Sequence, residues 1–149
     1  MVKRLLVTLS LIALLPSVAL AAPVKRIKMT GKAKEVTYNL KGIKTTEAWM
    51  TPVSIAQSRS TVTIKFRLFN GKSTTSILNK TKGGWIGNID PFEVPTPTSS
   101  DFYYCEMSGS MGLKLSGKTG AFVRYFEMAC DNDDGTITAQ DLLTIKLRK

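Results

Sequence analysis

Between Thr61 and Phe69 the side chains alternate with a period of two. Val62, Ile64, Phe66 and Leu68 fall on one face, and Thr63, Lys65 and Arg67 on the other. β-Branched and aromatic residues dominate the run, so pattern and propensity both specify a strand with one buried face. Asn70-Gly71 follows at once, a pair suited to a type I′ turn because both central residues take positive φ. Thr74–Asn79 is then the returning strand. A chain built on such a hairpin has to bury a sheet face against more sheet.

The remaining segments read the same way. Val36, Tyr38 and Leu40 alternate with Glu35, Thr37 and Asn39 until Gly42 breaks the run. Ala48–Ala56 alternates weakly through Trp49, Val53 and Ile55, and Pro52 marks it as an edge or bulged strand. Trp85–Ile89, Phe102–Met107 and Met111–Leu115 are short strand candidates. Asp90–Asp101, with Pro91, Pro95 and Pro97, is a long extended loop. Val24–Lys34 is a basic lead-in, either a short edge strand or an ordered arm. There are no internal repeats and no heptads. The expected fold is all-β, an antiparallel sandwich or barrel-like single domain.

The last quarter, Ala121–Lys149, admits two readings. In one, Leu143, Ile145 and Leu147 alternate with Thr144, Lys146 and Arg148 in a final strand. Asp131, Asp133 and Asp134 then occupy a solvated turn. In the other, the segment resembles an EF-hand, and its second half is similar to one dockerin repeat. With Gly135 at loop position 6, Asn132, Asp134, Thr136 and Asp141 take positions 3, 5, 7 and 12. The resemblance implies Ca²⁺ as a ligand and an α+β alternative with a C-terminal helix-loop-helix. Cys130 stands at position 1, where the family has aspartate, which places the implied affinity in its weak class.

Lys3-Arg4, the apolar run Leu5–Leu15 and the small-residue site Ala19-Leu20-Ala21 form the three-part layout of a secretory signal peptide, residues 1–21. The run is shorter than the about 20 residues that a bilayer requires. Residues 22–149 are then the mature domain, secreted or periplasmic. No cysteine stands directly after the cleavage site, so a lipid anchor there is not expected. In an oxidising compartment Cys105 and Cys130, the only two cysteines, are expected to form a disulfide. Closing that loop contributes about 3 kcal/mol through the unfolded state.

Charge divides unevenly. Val24–Lys82 carries 13 Lys/Arg against Glu35 and Glu47, while Gly83–Lys149 carries 6 against 9 acids. The basic half nominates Lys25, Arg26, Lys28, Lys65, Arg67, Lys72, Lys80 and Lys82 as an anion-binding face. An anionic glycan, glycolipid or membrane surface would be its partner, and nothing indicates specific nucleic-acid recognition. A lysine face that only keeps the protein soluble and guards sheet edges is the plainer account of the same residues. A protein partner could instead add a strand along an unpaired Val24–Lys34 edge, as in a subunit of a surface polymer or secretion apparatus.

Other chemistries fare poorly. The chain has no histidine, so zinc sites of the usual kind and Ser-His-Asp or Cys-His sets are excluded. Gly112–Thr119 satisfies a phosphate-loop pattern, but Leu113 and Leu115 alternate like a strand inside it. Asp101–Cys105 resembles the tyrosine-corner region of an immunoglobulin domain, yet the only other cysteine lies downstream. Carboxylate pairs such as Glu106 with Glu127 could be brought close on neighbouring strands, but nothing in the sequence distinguishes them from surface charges. The expectation is a module that binds or assembles, not an enzyme.

Overall fold

The computed structural model describes residues 23–98 and 101–149. Eight strands follow one another: β1 Lys25–Tyr38, β2 Lys44–Gln57, β3 Thr61–Arg67, β4 Ser73–Thr81, β5 Gly84–Glu93, β6 Tyr104–Ser116, β7 Thr119–Asn132 and β8 Gly135–Arg148. Each pairs antiparallel with the next, and β8 returns to β1, closing a barrel. The proposed signal peptide lies outside the described residues.

The strand ladders fix the shape of the barrel. A row leaving β1 at Arg26 passes Ala56, Thr63 and Ile77. The β4–β5 register carries it to Asn88, and it returns through Ser110, Tyr125 and Leu142 to Val36. The row therefore climbs about ten residues per circuit, which tilts every strand against the axis and leaves an interior that side chains can fill. They fill it with Val53, Ile55, Val62, Ile64, Phe66, Leu78, Leu113, Phe122, Leu143 and Ile145, all buried. Phe66 and Phe122 meet across the lumen at 5.3 Å between ring centroids. Lysines 28, 32, 34, 65, 114 and 146 occupy outward positions, the reverse of a barrel embedded in lipid.

The structure revises several element bounds. β6 runs unbroken through Ser108-Gly109-Ser110, because Gly109 lies under the Phe126 ring and the strand needs no turn there. β5 extends to Glu93 across a register shift between Ile89 and Phe92, so the loop begins after Glu93. The hairpin at Asn70-Gly71 has a three-residue loop instead of a type I′ pair. Leu68 N–H donates to Lys72 O, and Gly71 N–H donates to Leu68 O, with Gly71 at φ 81°. This is a type I turn closed by a left-handed glycine. Asn39–Ile43 repeats the arrangement with Gly42. Pro52 sits where β2 has β1 on one side and no β3 partner on the other, which spares it a ladder hydrogen bond.

The last quarter is the β7–β8 hairpin, with no helix. Asn132 pairs with Gly135, and Asn132 Oδ1 accepts from Asp134 N–H. The helix-loop-helix alternative is therefore replaced by a strand pair. Gly112–Thr119 is the end of β6 and its turn into β7, and no helix follows it. The Val24–Lys34 edge is likewise mostly consumed. β2 covers one side of β1 from Lys25 onward, and β8 covers the other from Thr30.

Candidate functional site: a basic barrel end opposite an acidic one

The meander assigns the connections alternately to two ends. At the turn end lie 39–43, 68–72, the described loop residues 94–98 and 101–103, and 133–134. At the terminal end lie the start of the described residues at 23 and the C-terminus, with 58–60, 82–83 and 117–118. Every segment at the terminal end carries a cation: Lys25, Arg59, Lys82, Lys118 and Lys149. Arg26, Lys28, Lys80, Lys114 and Arg148 stand on the adjoining strand ends. All 11 acidic residues fall toward the turn end. Glu35 and Glu47 sit four residues from the β1–β2 loop, Asp90 and Glu93 close β5, and the rest line the 94–106 and 127–141 stretches. The barrel is thus electrically polar along its axis.

Of the eight cations nominated from sequence, the structure brings Lys25, Arg26, Lys80 and Lys82 to the terminal end. Lys28 and Lys65 lie beside them on the wall, facing outward around Ser54. Arg67 and Lys72 lie apart, at the β3–β4 turn. Sequence reading missed Arg59, Lys114, Lys118, Lys146, Arg148 and Lys149. Closure of β8 onto β1 sets Lys146 beside Lys32 and Arg148 beside Thr30. The outward phase of Lys146 and Arg148 was visible in the alternation of the last strand; their proximity to β1 was not. Among the described residues the ion pairs involve Arg124 alone, so no carboxylate neutralises these ten end cations.

The calcium-hand residues do not converge. Asp141 lies well down β8 and points into the barrel, and Cys130 is bonded to Cys105. Thr136 donates its hydroxyl to Asp131, and Asn132 is engaged with the turn backbone. Among the described residues no three His, Cys, Asp or Glu gather as a metal site. Glu106 and Glu127 do come near one another, as diagonal neighbours on the outer wall. Each accepts from a tyrosine: Tyr104 at 3.2 Å and Tyr125 at 2.7 Å. Those bonds raise both tyrosine hydroxyls above their ordinary range.

A buried ion-pair trio closes the interior toward the turn end. Arg124 Nη2 donates to Glu35 Oε1 at 3.0 Å and to Asp141 Oδ2 at 3.1 Å, with the Arg124 side chain 9% exposed. Its guanidinium also lies over Phe126. Glu47, the ladder partner of Glu35, faces the same space. Burial, together with the charge of Asp141, pushes the Glu35 carboxyl above its usual range even against the pull of Arg124. No protein-family model matches this chain, and a search of curated proteins returns no relative.

Proposed function

We propose that this protein is an exported, non-enzymatic binding module whose basic barrel end meets an anionic surface. One observation carries the reading: five chain segments converge on one end, each with a cation, and every acid is held toward the other. A solubilising coat would intersperse lysines with acids, whereas this end carries cations and no acid. The buried Cys105–Cys130 disulfide supports an oxidising location. The apolar side chains that fill the barrel interior support recognition at the exterior.

Retention on immobilised heparin under rising salt tests the proposal. Screening shortens from about 10 Å at 0.1 M to about 3 Å at 1 M, so elution should come well within that range. Passage through the column at low salt, or retention that salt leaves unchanged, would sink the reading.

A further inference from the structure

The outer wall beside the basic end carries an apolar groove. Ile86 on β5, Gly112 on β6 and Val123 on β7 are successive ladder partners facing outward. Ile86 is 48% exposed and Val123 40%. Between them Gly112 leaves a gap, with nothing within 4 Å of where its Cβ would stand. The resulting groove is about 450 Å³, with Ile86, Ala121 and Val123 beside the glycine floor. Ile77, diagonal to Ile86 on β4, extends the apolar strip and is 64% exposed.

Cations frame the groove. Lys114 lines it, Lys82 immediately precedes its Gly83, and Lys146 is the ladder partner of Ala121. No carboxylate lines it. Exposed aliphatics within reach of unpaired lysines suit a lipid interface, where long stems hold ammonium groups at headgroup level while shorter apolar side chains enter the acyl boundary. An anionic polysaccharide would satisfy the lysines but has no chain to cover Ile86 and Val123.

Resting on the basic-end reading, we propose that the anionic surface is a phospholipid bilayer. Lys82, Lys114 and Lys146 meet headgroup phosphates, and the Ile86–Gly112–Val123 groove receives an acyl chain. Co-sedimentation with phosphatidylglycerol vesicles, with phosphatidylcholine vesicles as control, tests it alongside heparin retention. Gly112→Thr fills the groove with a small polar side chain at a position that has room for a Cβ, and Ile86→Ser/Val123→Ser removes its apolar walls. None of these changes net charge.

Both variants should melt as cooperatively as the parent and elute from heparin at the same salt. The double variant should lose about tenfold or more in partition to phosphatidylglycerol vesicles, given the apolar surface withdrawn. Unchanged vesicle binding by both folded variants would overturn the groove while leaving the basic end intact. Heparin retention of the parent without vesicle binding would overturn the lipid assignment alone. Loss of both parent interactions would overturn the basic-end reading as well.

Discussion

At the scale of single residues, Arg124 is the most consequential charge. It is one cation shared by two partly buried carboxylates, and its Nε and Asp141 Oδ1 are buried without partners. Removing it leaves Glu35 and Asp141 facing each other in a desolvated space. Arg124→Met should therefore destabilise the fold by about 3–5 kcal/mol in denaturant unfolding. The Glu35 carboxyl, raised in the folded state, binds its proton more tightly there than in the unfolded chain. Its contribution to stability is largest at acid pH and falls as pH rises through the folded pKa. Relative to the parent, Glu35→Gln should thus gain stability as pH goes from about 4 to 7. A difference between the two melting temperatures that is flat over this range would contradict the raised carboxyl.

At the scale of elements, the β6–β7 hairpin holds most of what is unusual. Cys105 and Cys130 are direct ladder partners with Cα atoms 4.1 Å apart, near the turn end. Replacing both with alanine should cost about 2–5 kcal/mol, read as a lower midpoint in denaturant under oxidising conditions. Gly109 is fixed by a different constraint. A Cβ there would stand 2.7 Å from Tyr125 O and press on the Phe126 ring. Gly109→Ala should lower stability by about 1–3 kcal/mol through overpacking. In the sequence, Ser108-Gly109-Ser110 has the composition of a turn. Only the ring crossing from β7 shows why a strand interior needs a glycine there.

At the scale of the whole molecule, function is proposed to follow from polarity and not from any one side chain. Charge reversal of Arg59, Lys82 and Lys118, all in terminal-end loops, should lower the salt needed to elute the protein from heparin. The same reversal of Lys41, Lys44 and Lys72, at the other end, should alter it far less. The two triple variants carry equal net charge, so equal elution would show that total charge governs retention, and the pole would lose its significance.

The sequence by itself determined the strand content, the apolar phase of β3 and β8, the pairing of its only two cysteines and the weakness of histidine-based chemistry. These depend on local periodicity or on residue inventory, which need no partner to be read. Tertiary structure decided the rest. Alternation cannot distinguish a sandwich from a barrel, because both bury one face of each strand. Closure of β8 onto β1 removed the expected edge, and it drew the lysines of the first and last strands onto one wall. Asp141 fits a calcium loop by spacing, but strand phase turns it inward, where Arg124 takes it. The acidic and basic poles exist only because a meander sends alternate loops to opposite ends, a property of chain topology that no local window contains.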